Sequence, residues 1–179
     1  MPLPILTPDQ ISYFAEQVNL YISSQRAAYY HRAIPINPTH RDSLVGFFPE
    51  SLLENTRVAA VEQPVENPPF YPELRSMGFD NLPEFSDMAA ITFVDVIVSH
   101  VPITCTLLFH EMVHAAQYRI LGVNRFSRLY VEGFLHGGSY ERIPLETNAF
   151  HLEQRFGANP THLFSVEAEV LKWLDAGKF

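Results

Sequence analysis

The chain is poor in cysteine, with Cys105 the only one among 179 residues. A lone thiol cannot close an internal disulfide, and a cysteine-built zinc site is excluded with it. Basic residues are scarce too: 12 Lys and Arg stand against 20 Asp and Glu, a formal net charge of −8. No run of Lys or Arg offsets that balance locally. Such a chain repels phosphate, so neither nucleic acid nor an anionic membrane surface is expected as a partner. Long apolar runs are also missing. The longest stretch, from Ala89 to Phe109, is interrupted by Asp95, His100 and Pro102, each costly in lipid. The opening MPLPILTPDQ has neither a basic segment nor an apolar one long enough for a secretory leader. The expectation is a soluble cytoplasmic protein.

What is present suffices for a core. Hydrophobic residues reach 47% against 18% charged, which argues against disorder, and the length suits one domain over residues 1–179. Thr7-Pro8-Asp9 reads as a helix start, with Thr7 as cap and Pro8 in the first helical position. Ile11, Phe14, Ala15, Val18 and Ile22 then recur at helical spacing, so a helix is expected to about Tyr30. Residues 34–49 read as irregular, punctuated by Pro35, Pro38 and Pro49. A short strand is expected over Arg57–Glu62. Beyond it, Pro64, Pro68, Pro69 and Pro72 place Phe70 and Tyr71 in a loop, either tucked against the core or covering a cleft. Ala90–Val98 is the best strand, rich in β-branched residues, and Asp95 interrupts one face, as expected for an edge or for a strand with one wet side. A helix is expected from Pro102 to Leu121, with Gly122 in a left-handed cap. Two more follow, Pro144 to about Phe156 and about Leu163 to Ala176.

The chemistry lies in His110-Glu111-Met112-Val113-His114. Residues four apart share a helical face, so His110 and His114 can offer two imidazole nitrogens to one ion. Glu111 projects about 100° away, beside the ion rather than on it, where it can take a proton from water. Zinc suits two imidazoles and accepts a tetrahedron with one open position. The competing reading is two ordinary histidines on a polar helix face.

Two imidazoles leave a third ligand to find. Ile120 stands where a metzincin would carry a third histidine, and Gln117 where it would carry glycine, which excludes that class. Glu146 is the candidate: it follows His114 by 32 positions and sits in the first turn of the helix starting at Pro144. It borders the apolar stripe of Leu145, Ala149, Leu152 and Phe156, where a carboxylate is costly unless paired or bound to a cation. The alternative is a first-turn glutamate favoured by the helix dipole. Gln117 shares the ligand face and could orient a ligand. Tyr140 could donate to a developing oxyanion, or simply pack with its hydroxyl satisfied. His136, in the glycine-flanked FLHGGSY, is a weaker candidate for the same role or for an alternative ligand. His100 and His151 read as local hydrogen-bonders, and Cys105 as a buried thiol.

HEMVHAAQYRILG followed by YERIPLETNAFHLEQRF resembles the gluzincin group of zincin-type metallopeptidases, and more narrowly short stand-alone bacterial gluzincin-like domains. The resemblance spans roughly Ile91 to Phe156. It implies an α+β fold: a small, mostly antiparallel sheet with an edge strand before the active-site helix, and a second, glutamate-bearing helix. It also implies a zinc ion held by His110, His114 and Glu146, with Glu111 as general base. Peptide substrate would lie along the edge strand, near Val94 to Val98. The chain departs from the larger gluzincins at Phe150, where they often carry an aspartate that orients a histidine. Asn148, Glu153 or a backbone carbonyl would have to serve instead. The large C-terminal domain that walls their cleft is not expected either, with 33 residues after Glu146. The expected function is a zinc-dependent peptidase. The alternative is a metal-binding interaction module with little or no catalysis.

Overall fold

Thr7 starts the first helix as its pattern predicts. Its hydroxyl accepts from the Gln10 amide, while the Gln10 side chain accepts from the Thr7 amide at 2.8 Å, a reciprocal capping box. Helix α1 runs Pro8–Tyr30. The computed structural model describes residues 4–179. Residues 1–3, part of the stretch read for a leader, lie outside the described residues.

Residues 34–49 are more regular than expected. Strand β1 is Ile34–Pro35 and helix α2 is Pro38–Leu44, capped by Asn37 through a 2.8 Å bond from the His40 amide. Pro38 occupies a first-turn position, where its missing N–H costs nothing, so a residue that reads as a breaker is a helix start. The same applies to Pro72. The loop expected around Phe70 and Tyr71 gives way at Tyr71 to a short helix α4 (Tyr71–Ser76), which takes Pro72 in its first turn. Between these, α3 is Glu50–Asn55 and strand β2 is Arg57–Ala60, two residues shorter than expected.

The stretch Ala90–Val98 is not one strand. It folds back as β3 (Ala90–Phe93) and β4 (Val96–Ser99), paired antiparallel with Ile91 opposite Val98. Val94 turns the chain at a left-handed φ of 64°, a conformation strained for a β-branched residue. Asp95 is held by a two-pronged ion pair from Arg26 of α1, at 2.6 and 2.8 Å. The sheet order is β1-β2-β4-β3, with β2 parallel to β4 and the outer pairs antiparallel. The fold is therefore α+β with a small mixed sheet. Its edge next to the site is β3, residues 90–93, while Val96–Val98 lie inside the sheet. That moves the expected edge away from Val94–Val98.

Helix α5 spans Cys105–Gly137 and is capped by Thr104. Gly122 has φ 72° and ψ 161°, so the expected cap residue breaks the axis, but a second helical arm resumes at once. The first arm is buried on all sides: Leu108, Phe109, Met112, Val113 and Ala116 are wholly inaccessible. One face packs with α1 and residues 65–93, the other with α2, α3, α6 (Pro144–Ala158) and α7 (Val166–Asp175). Phe109 stacks on Phe156 of α6 at 4.3 Å and meets Phe47 and Phe48 edge-on, pairings worth about 0.5–1.5 kcal/mol each beyond burial. The second arm approaches the start of α6 at Gly133, where a Cβ would stand 2.6 Å from Pro144 Cδ. These two contacts set α6, and with it Glu146, against the motif helix. Among the described residues, no helix is long and apolar enough to cross a membrane.

Candidate metal centre

A polar helix face for the two histidines is ruled out by burial. His110 and His114 are each 6% exposed, Glu111 4% and Glu146 4%. Buried polar groups of this kind need partners. His110 and His114 Nε2 lie 3.2 Å apart, and Glu146 Oε2 is 3.2 Å from His114 Nε2 and 3.6 Å from His110 Nε2. These three atoms form a cluster able to hold a metal ion.

The partners of the outer nitrogens show where the imidazole protons sit. The Gln117 amide nitrogen donates to the Leu145 carbonyl and to Asn148 Oδ1, both at 3.0 Å. A backbone carbonyl only accepts, so the amide is oriented with its oxygen toward His114. His114 Nδ1, 2.9 Å from that oxygen, must be the protonated nitrogen. His110 Nδ1 lies 2.9 Å from the Glu153 carboxylate and is a donor for the same reason. In the neutral imidazoles, both Nε2 atoms therefore aim lone pairs at one point, together with a carboxylate oxygen. That oxygen, Glu146 Oε2, is buried and makes no hydrogen bond of sound geometry.

Three converging lone pairs require a cation. Zinc–nitrogen and zinc–oxygen bonds of about 2.0–2.2 Å at tetrahedral angles put ligand atoms about 3.3–3.5 Å apart. The observed triangle, with edges of 3.2, 3.2 and 3.6 Å, matches one face of that tetrahedron, so the donor set fits zinc. Protons are the alternative cation. Burial alone would lower the His110 pKa, but Glu146 and Glu153 outweigh it and push it up to about 10. His114 is raised likewise, with burial opposing and Glu146 prevailing. For Glu146 burial opposes ionisation, yet the two imidazoles hold it well below the usual carboxylate range.

Glu111 stands beside this cluster. Thr92 of the edge strand β3 donates to its Oε2 at 2.7 Å and to its backbone carbonyl at 3.0 Å, fixing the carboxylate between strand and helix. Tyr140 lies in a short helical turn just before α6, and its hydroxyl approaches Glu146. Burial, then the Glu146 charge, raises its pKa far above the ordinary range, so it stays a neutral donor. Phe150, at the position of the larger gluzincins' aspartate, packs its ring 4.6 Å from His110. The orienting roles fall to Glu153, two turns past the triangle's carboxylate, and to Gln117. Asn148 acts one step further out, through Gln117.

Other candidates lie elsewhere. His136 is bonded to the Glu132 carbonyl, and His151 is exposed near Trp173. Cys105 is partly exposed rather than buried. The sequence reading passed over Thr92 and two tyrosines, Tyr118 and Tyr130, which line the cavity beside the cluster. Tyr118 had a signal, being four residues past His114 and so on the ligand face. Thr92 and Tyr130 had none, since each reaches the site only through packing between elements. Comparison with known protein families, with curated proteins and with solved structures finds no match.

Proposed function

We propose that the protein binds zinc through His110, His114 and Glu146, and that the site is arranged for hydrolysis of a peptide bond. The single observation behind the first part is the triangle of buried lone pairs with tetrahedral edge lengths. This part needs nothing beyond the donors themselves and carries the greater support. A bound zinc would polarise a carbonyl and make water acidic beside it.

The hydrolytic part rests on what surrounds the donors. Glu111 is off the triangle, and Thr92 occupies only its Oε2. Oε1 is thus the atom that would accept the proton of an attacking water. Tyr140, kept neutral by burial and by Glu146, would donate to the oxyanion that forms. The β3 edge, residues 90–93, would align an extended substrate. Glu153 and Gln117 hold the imidazole tautomers throughout.

A module that binds metal with little or no catalysis has an observation in its favour as well: Glu111 is almost fully buried and already engaged by Thr92. Metal analysis and a protease assay on unfolded polypeptide, wild type against Glu111→Gln, separate the readings. Zinc retained in both with activity lost in Glu111→Gln upholds the hydrolase. Zinc without activity in either leaves the module, and no zinc in the wild type refutes both.

A further inference from the structure

The donor triangle closes one end of a cavity of about 110 Å³. Its walls are aromatic and come from three parts of the chain: Phe14 and Tyr21 of α1, Phe70 and Phe85 from the segment before β3, and Phe126 and Phe134 of the second arm of α5. Two hydroxyls that would otherwise make these walls polar are already satisfied. Tyr21 donates to the Glu66 carbonyl at 2.7 Å and Tyr71 to the Pro83 carbonyl at 2.9 Å.

Polar groups gather only at the metal end, where Thr92, Glu111, His114 and Glu146 line the cavity. Tyr118 and Tyr130 join them; their hydroxyls make no side-chain hydrogen bond among the described residues and are not among the buried unpartnered atoms, so both open onto the cavity. A hydroxyl that faces a cavity with its proton uncommitted can donate to an acceptor brought by a ligand without breaking a bond inside the protein. Leu82, Pro83, Met88, Ala90, Glu111 and Tyr140 line both this cavity and an open groove of about 540 Å³. They form the mouth between the two.

We propose that this cavity binds an apolar group of about one ring, on a molecule whose carbonyl or carboxylate oxygens meet the Tyr118 and Tyr130 hydroxyls at the metal end. At about 110 Å³ the cavity is smaller than the apolar cavity of about 150 Å³ that admits benzene, so a single ring is the upper limit and draws on the mouth for its remaining room. Charge divides the ligands: Glu111 and Glu146 repel a carboxylate unless a divalent cation stands between, whereas a neutral ring needs none. The polar half of the proposal rests on the zinc reading; the apolar half does not.

The test uses the full chain, metal-free and zinc-loaded, with toluene, 3-phenylpropanoate and propanoate as probes in calorimetry and thermal shift. Toluene should bind both forms. 3-Phenylpropanoate should bind the zinc form at least about tenfold more tightly than the metal-free form, and more tightly than propanoate. Val131→Phe, which fills the cavity from α5, should abolish toluene binding while zinc affinity holds. Tyr130→Phe should spare toluene and weaken 3-phenylpropanoate about tenfold, as for loss of one bond to a charged group. Failure of toluene and 3-phenylpropanoate to bind the zinc-loaded wild type would overturn the proposal, even if Val131→Phe did not fold. Toluene binding without zinc uptake would uphold the apolar half and overturn the zinc reading instead.

Discussion

Stripping the metal should turn the His110–His114–Glu146 cluster into a proton-binding site, with a measurable effect on stability. In the metal-free chain His110 is raised from 6.5 to about 10, with His114 moved the same way. A group whose folded pKa exceeds its unfolded one stabilises fully below the unfolded value and loses that contribution as pH climbs through the folded one. The loss therefore falls between about pH 6.5 and 10. At about 1.4 kcal/mol per unit, His110 alone accounts for on the order of 5 kcal/mol, an upper bound because Glu146 supplies the same interaction from the other side. Glu146, lowered, works in the opposite direction: its stabilisation is present above about pH 4.5 and is lost on acidification. Metal-free protein should thus be most stable near pH 5–6. Its Tm should fall by on the order of 10 °C toward pH 10, given about 2–4 °C per kcal/mol at this size. Zinc requires both Nε2 atoms unprotonated, so its binding at pH 7.5 should expel about one proton or more. Differential scanning calorimetry across pH measures the first effect. Titration calorimetry in buffers of different ionisation enthalpy measures the second. A flat Tm from pH 6.5 to 9.5 together with zinc binding that releases no proton would refute the assigned tautomers and the cluster with them.

Glu146→Ala should weaken zinc more than Glu153→Ala or Gln117→Ala, each of the latter costing about 10–100-fold in affinity because it frees an imidazole rather than removing a donor. Competition with a chelator ranks them, and equal losses for Glu146→Ala and Glu153→Ala would mean the wrong carboxylate was chosen. Gly133→Val should lower both stability and zinc affinity, since a Cβ there meets Pro144 at 2.6 Å and α6 must shift; unchanged affinity would show that this contact does not seat Glu146. Phe109→Ala should cost about 3–5 kcal/mol, roughly 10 °C in Tm, by opening the aromatic cluster; a loss below about 1 kcal/mol in chemical denaturation would contradict the packing described.

The contrast between what local spacing reveals and what it hides runs through the centre itself. One edge of the donor triangle, His110 to His114, is a property of a single helix and is legible in four residues of spacing. The other two edges cross to α6. For these the sequence offered only an acid bordering an apolar stripe, enough to nominate Glu146 but not to bury it beside two imidazoles. Periodicity tells which way a side chain faces, never what stands opposite. Glu153 could be named as one of three candidates for orienting an imidazole, yet the choice among them depends on how α5 and α6 cross, a matter set by Phe109 against Phe156 and by the close approach at Gly133. The hairpin was hidden for a similar reason. Six β-branched residues between Ile91 and Val98 argue for one strand, and contacts distant in sequence, the ion pair from Arg26 and the Arg57 amide on the Asp95 carbonyl, hold Asp95 where Val94 adopts a left-handed turn. That turn brings Thr92 onto an edge and within 2.7 Å of Glu111, so a contact between α1 and the sheet helps determine where the candidate base sits. The N-terminal third, which carries no motif, thereby does two things for the centre: through Arg26 it shapes the strand that holds Glu111, and through Phe14 and Tyr21 it walls the cavity on which the donors open.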